Sequence, residues 1–236
     1  MRKRVKYTSL LPIYFVVLAL FLLLAFGGSK AVTVLSVNAP IADRKTVIID
    51  PGHGGEDGGA TSCTGILESQ YNLEISLRLR DLFHLLGVNT LMIRETDCSV
   101  YTAGDTIAQK KISDLKERVR MVNNTPDALL ISIHQNHFVQ SQYSGAQMFF
   151  APTDGSKELA QLLQKAFIET VNPNSHRQVK KADGIYLMQH INCPAVLIEC
   201  GFLSNPTEAY LLGSEDYQKK LCAIIACTTT DALFST

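Results

Sequence analysis

The sequence predicts an α/β domain built on a sheet that helices cover on both faces. Strand-like and helix-like segments alternate along the chain. Several strand segments, such as TVIID (46–50) and ALLISIH (128–134), are nearly continuous apolar runs rather than alternating ones. A strand with one face in water alternates, whereas one buried on both faces does not. The helical segments carry apolar stripes, as helices packed on a sheet do. At 236 residues the chain suffices for one well-buried domain.

The chain opens on Arg2, Lys3, Arg4 and Lys6, followed by an apolar run from Leu10 to Phe26. Positive charge ahead of such a run reads as a secretory signal or a membrane anchor, and its lack of a polar face argues against a core helix. Residues 1–29 are assigned to this segment, 30–44 to a linker and 45–236 to the folded domain. The run falls short of the ~20 residues of a comfortable span. Ser29–Ala31 is a poor small-residue cleavage site, so cleavage and retention both stay open.

Within the domain, 46–50 is a β-branched strand closed by Pro51 and Gly52. After a glycine-rich loop, 68–87 predicts a helix with Ile75, Leu79, Leu82 and Leu86 on one stripe and Gly87 as its stop. VNTLMI (88–93) is a strand, 97–112 is polar and irregular, and 113–124 is a helix opened by a Ser113 cap. Strands follow at 128–134 and 145–150, then an amphipathic helix at 156–171. Strands at 185–188 and 195–200 and a helix over roughly 215–234 complete the pattern.

Basic and acidic residues balance at 22 each. With the four N-terminal basic residues set aside, the rest carries an acidic excess of four, which gives no electrostatic reason to bind nucleic acid. Six cysteines, at 63, 98, 193, 200, 222 and 227, permit disulfides in an exported chain. No CxxC spacing points to a cysteine metal site. Cys193, Cys200, Cys222 and Cys227 lie among apolar residues, where a free buried thiol is as natural as a bridge.

The loop IDPGHGGEDGGA (49–60) raises a choice between cradling a phosphate and presenting a metal ligand. A phosphate loop aims bare N–H groups at an anion, and Glu56 and Asp57 in its middle oppose that. The glycine spacing is not GxGxxG, and no Gly-Lys-Ser/Thr follows. The metal reading fares better. His53 follows one strand, His134 ends another, Glu199 lies at the end of a third, and Glu68 opens the helix after the loop. In an open α/β sheet, groups at the carboxyl ends of strands converge on one crevice. Two imidazoles and a carboxylate suit Zn2+ with a position left for water, whose pKa then falls toward ~7. A further carboxylate can pass that water's proton to a leaving nitrogen, which is what amide hydrolysis needs. Glu199, inside AVLIECGF, is expected to be buried, and a buried charge needs a partner or a use.

Five stretches, in order, resemble the zinc-dependent N-acetylmuramoyl-L-alanine amidases of bacterial cell walls: IDPGHGGEDGGA, LESQYNLEI, IRETD, SIHQN and IECGFLSN. The resemblance covers about residues 46–236. It implies a single domain with a mixed, mostly parallel sheet of about six strands and helices on both faces, of the phosphorylase/hydrolase-like kind. It implies one Zn2+ on His53, Glu68 and His134, with Glu199 as catalytic acid/base. The reaction implied is hydrolysis of the amide between N-acetylmuramic acid and L-alanine in peptidoglycan. Asn136 and Arg94 match further motif positions, and His137 stands where the family usually has a small residue; these three are read as substrate-binding residues, the ordinary alternative being polar loop residues.

The lack of wall-binding repeats and the short apolar N-terminus look most like the sporulation branch, the CwlD type. That implies action in the spore cortex, in forming the muramic-δ-lactam recognised at germination. The domain is then extracytoplasmic, secreted or held to the membrane by an uncleaved N-terminus, and placed at the forespore. An accessory protein for activation or placement is a further expectation, since no targeting module is recognisable. Two other readings stay open: a zinc carboxypeptidase of similar fold, with Arg94 or Arg118 for a terminal carboxylate, and a non-catalytic wall-binding domain.

Overall fold

The computed structural model describes residues 45–234. The N-terminal apolar run and the linker lie outside them, and among the described residues no helix is long and apolar enough to cross a membrane. The strands are β1 (Thr46–Pro51), β2 (Asn89–Met92), β3 (Ala128–Asn136), β4 (Gln147–Phe150), β5 (Lys180–Lys181) and β6 (Ala195–Phe202). The helices are α1 (Glu68–Leu85), α2 (Ile107–Asn123), α3 (Ser156–Thr170), α4 (Tyr186–His190), α5 (Pro206–Leu212) and α6 (Glu215–Phe234).

The six strands form one sheet in the order β2-β1-β3-β6-β4-β5. The first four run parallel, and β4 pairs antiparallel with β6 and parallel with β5. The mixed, mostly parallel α/β sheet is therefore observed. Its apolar strands are buried on both sides, as their unbroken patterns require. Val47, Ile49, Ile131, Ile133, Val196 and Ile198 join one core with Tyr71, Ile75, Leu79 and Phe83 of α1, Leu163 and Phe167 of α3, and Leu221 and Ile225 of α6. Ile48, Leu130, Ala195 and Leu197 point to the other face, against Val122 of α2 and Leu187 and Met188 of α4. The β5 edge is short and carries two exposed lysines, a form that discourages edge-to-edge pairing.

Several local expectations need correction. The α2 helix starts six residues before Ser113, at a capping box in which Thr106 accepts from Gln109 N and the Gln109 side chain accepts from Thr106 N. Ser113 is inside the helix, and its hydroxyl accepts from Thr102 N and Ala103 N. The expected strand at 185–188 is the short helix α4. Four apolar residues fit either period, and Gly184 at φ 82° turns the chain just before them. In α1, Leu86 is the C-cap before Gly87 at φ 72° and is exposed; Phe83 and Tyr71 complete the buried stripe instead. The helix α5 was not expected. All six cysteines are unpaired, and Cys227 is exposed rather than buried.

The topology explains where a site can form. β1, β3 and β6 are adjacent and parallel at the centre of the sheet, so their carboxyl ends open side by side. β3 and β6 are in register with His134 beside Glu199, after which an irregularity carries Asn136 opposite Phe202. Register partners in a parallel pair project to the same face.

Candidate metal centre and its cleft

His53 sits two residues beyond β1 with φ 61°, a left-handed conformation that a residue with a Cβ seldom adopts. Such strain persists only where surroundings impose it. Here Arg118 Nη2 donates to His53 O at 2.8 Å, and Gly54 and Asp57 exchange main-chain hydrogen bonds of 2.8 and 3.2 Å. The tight loop brings Asp57 Oδ2 to 3.0 Å from His53 Nδ1, which leaves Nε2 free to turn toward Glu68 Oε1 at 3.3 Å.

Two glycines of the loop are there for space. A Cβ on Gly52 would stand 2.2 Å from His134 Cε1, so the imidazole lies directly over that position. A Cβ on Gly59, at φ 68°, would meet Glu68 Oε2 at 2.6 Å and His53 Cδ2 at 2.8 Å. Glycine is needed at these two positions because His134, Glu68 and His53 occupy the volume that a side chain would need.

Glu68, the first residue of α1, is buried. Its Oε2 accepts from Ala60 N at 3.0 Å, and Oε1 accepts from Gln135 N at 3.2 Å and Asn72 Nδ2 at 3.4 Å. His134 Nδ1 lies 3.0 Å from the same Oε1. One ligand atom each from His53, Glu68 and His134 falls within 4.8 Å of the others. That mutual spacing fits three donors around one small cation. The structure brings the three expected side chains together.

Charge follows geometry. Burial pushes the Glu68 carboxyl up, but hydrogen bonds to His134 and His53 and their charge outweigh it and hold it well below the ordinary range. Burial pulls the His53 imidazole down, yet hydrogen bonds to Asp57 and Glu68 and their negative charge raise it to about 9. The hydrogen bond to His53 in turn keeps Asp57 well below an ordinary carboxylate. Glu199 moves the other way. Burial raises it to about 7, opposed by His134 and reinforced by Glu68. Its Oε2 is closed to solvent and has no hydrogen-bond partner. A carboxyl shifted toward neutrality beside two imidazoles in a cleft is a candidate proton carrier.

A cleft of about 230 Å3 opens beside these groups, lined by His53, Asp57, Lys111, Ser132, His134 and Glu199 among others, with Glu68 buried behind the two histidines. Its floor is a buried network. Asp50 pairs with Arg118 Nη1 and accepts from Ser132 Oγ at 2.7 Å, while Arg118 Nε reaches Asp114 at 2.6 Å.

Arg94 requires a correction. Instead of facing substrate it is buried, and it donates to the carbonyls of Pro51, Gly52, Ser69 and Thr96 at 2.9–3.0 Å. Arg118 is spent in the same way, so neither arginine is free for a terminal carboxylate. Asn136 is half-buried at the end of β3, where its carbonyl accepts from Leu203 N at 2.7 Å. His137 is exposed on the following loop. Sequence reasoning missed Asp57 as the partner of His53 and the Asp50–Arg118–Ser132 floor. Asp57, four residues after a ligand histidine in a glycine loop, was the readable signal.

Comparison with known proteins agrees with this geometry. The N-acetylmuramoyl-L-alanine amidase family profile matches residues 47–228. The germination-specific N-acetylmuramoyl-L-alanine amidase of Bacillus subtilis is 37% identical over 227 residues, 95% of this chain and 93% of that protein. The solved CwlD amidase of Clostridioides difficile, in complex with the GerS lipoprotein, superposes with a TM-score of 0.77 at 40% identity, covering 82% of this chain and all of that one. An N-acetylmuramoyl-L-alanine amidase from Clostridium difficile 630 follows with a TM-score of 0.72 at 31% identity, over 82% of this chain and 98% of that one. With the fold, the ligand triad and the matched length in agreement, this chain belongs to the N-acetylmuramoyl-L-alanine amidase family.

Proposed function

We propose that this chain is a zinc-dependent amidase that cuts the bond between N-acetylmuramic acid and L-alanine in spore cortex peptidoglycan, a step toward the muramic-δ-lactam. The observation that carries the chemistry is the solvent-shielded, unpartnered Oε2 of Glu199 in the cleft lined by His53 and His134, whose rings both meet buried Glu68. A costly buried carboxylate is retained where it does chemistry.

The residues fit zinc: two imidazoles, one carboxylate, and room beside them. When bound, the ion supplies Lewis-acid charge and acidifies an attacking water. His53, Glu68 and His134 hold it, and Asp57 fixes the ring orientation of His53. Glu199 accepts the proton of the attacking water and returns it to the departing amide nitrogen, without which that nitrogen is a poor leaving group. Arg94 and Arg118 hold the His53 loop by its main chain, so substitution of either misplaces a ligand.

The sporulation setting is supported by likeness to the germination-specific relative over almost the full length of both chains. The lipoprotein complex of the Clostridioides relative supports an accessory partner here too. Action outside the cytoplasmic membrane follows from the substrate and from the N-terminal apolar run.

The test uses the zinc-loaded chain on muropeptides and on the same peptides lacking muramic acid. Release of peptide from muropeptide alone, with a loss of about 10³-fold in kcat on Glu199→Gln at unchanged zinc content, is the expected result. Equal cleavage of the free peptide would favour a carboxypeptidase. Zinc binding with muropeptide binding and no turnover would favour a wall-binding domain. Loss of δ-lactam from the cortex on deletion of the chain tests the setting.

A further inference from the structure

We propose that Lys111 forms a carboxylate-binding subsite at the rim of the cleft and takes a free carboxylate of the peptide being released. The proposal rests on the amidase reading and names what that site recognises on the peptide side.

The cleft is dominated by acid. Asp50, Asp57, Asp114 and Glu199 line it, and its lysine and arginine lining residues are Lys111 and Arg118. Arg118 is buried, and its nitrogens already serve Asp50, Asp114 and the carbonyls of Pro51 and His53. Lys111 is different. Its side chain is 52% exposed and its ammonium makes one ion pair, 3.0 Å from Asp57 Oδ2. An ammonium has three donors, so capacity remains for an arriving oxygen.

The placement comes from the helix. Lys111, Asp114, Leu115 and Arg118 recur at i, i+3, i+4 and i+7 on the cleft side of α2. The neighbouring Lys110 turns away, 2.8 Å from Glu56 and 5.0 Å from the Tyr101 ring centroid. Both lysines reach the glycine loop, Lys110 at Glu56 and Lys111 at Asp57, but only Lys111 stands at the rim of the cleft.

A purely structural role for Lys111 explains little. Exposed ion pairs add little to stability, and Asp57 already has His53 on the same oxygen. The charge has its use when a substrate anion arrives. A peptide amide cut from muramic acid brings carboxylates into a cleft lined by carboxylates, and at its rim, away from the metal ligands, Lys111 is the accessible cationic side chain.

The experiment uses the zinc-loaded full chain with Lys111→Met and Lys111→Arg. Three muramoyl tripeptides serve as substrates: one with its internal and terminal carboxylates free, one with the internal carboxylate amidated, and one with the terminal carboxylate amidated. Lys111→Met is expected to raise KM about 10–100-fold on the fully charged substrate with kcat within about twofold. Arginine is expected to restore most of the loss. The amidated substrate that no longer distinguishes wild type from Lys111→Met identifies which carboxylate is read.

An equal loss on all three substrates, a fall in zinc affinity by chelator competition, or no effect at all would overturn the subsite. A parallel calorimetric arm measures binding of the carboxylated and amidated product peptides to zinc-loaded Glu199→Gln, with and without Lys111→Met. A wild type that releases no peptide defeats the amidase reading, while this arm still decides the subsite. There, weakening by Lys111→Met confined to carboxylated peptide supports it, and indifference to the carboxylate refutes it.

Discussion

At the scale of the residue, the site is a set of groups held in costly states. His53 has a left-handed backbone, Glu68 is a buried carboxylate, and Glu199 is a half-buried carboxyl whose Oε2 is shielded from solvent and has no partner. The last has a pH signature in the metal-free protein. Burial raises Glu199 from 4.5 to about 7. The fold thus prefers the protonated form, and the associated stability is fully present below 4.5 and lost as pH rises through about 7. Glutamine cannot ionise and escapes that loss. We expect Glu199→Gln to exceed wild type by about 3 kcal/mol at pH 8 and to match it near pH 4. His53, raised to about 9, titrates in both proteins and largely cancels in the difference. Denaturant midpoints of the chelated proteins at the two pH values check this, and a constant difference would remove the buried-acid account. These residues were legible because imidazoles and carboxylates at the ends of apolar strands have few other uses. Arg94 was misread because its partners are main-chain carbonyls, and a sequence does not mark a carbonyl that lacks a partner.

At the scale of the element, apolar strands and striped helices were readable because burial repeats along them, whereas short elements were set by caps. Thr106 and Gln109 define the start of α2 through reciprocal hydrogen bonds. Asn205 opens α5 by accepting from Thr207 N and Glu208 N, with Pro206 next. Both signals were in the chain, but the polar run 105–112 hid the first, and the apolar pattern around 206–212 was too brief to register the second. The same ambiguity turned 185–188 from strand into helix. The α2 cap reaches the site, since its second turn carries Lys111. Thr106→Ala removes a side-chain acceptor from an exposed cap, and a stability loss of about 1 kcal/mol is expected. If Lys111 reads the substrate, fraying of the first turns also raises KM more than it lowers kcat. Thermal melts alongside steady-state kinetics measure both, and an unchanged melt would mean that the cap contributes nothing in solution.

At the scale of the whole molecule, the cation would add a further tie among elements that the sheet and the core already join. His53 follows β1, His134 belongs to β3, and Glu68 opens α1, so three segments far apart in sequence meet at one point. The unfolded chain offers no such site, and binding therefore adds to stability by about 4 kcal/mol at a thousandfold excess over Kd. For a domain of this size, that corresponds to a fall in Tm of about 10 °C on chelation. The fall also depends on pH. Without metal, His53 keeps its proton up to about 9, because Asp57 and Glu68 surround it with negative charge. Zinc must displace that proton, so affinity rises with pH until about 9, and loading at pH 7 releases about one proton from His53. We expect chelation to lower Tm more at pH 8 than at pH 6, and calorimetric titrations in buffers of different ionisation heat to report the released proton. Equal melts with and without zinc at both values would mean that the three ligands are held apart from any shared ion, and the same negative charge that draws in a cation would then be a permanent cost to the fold.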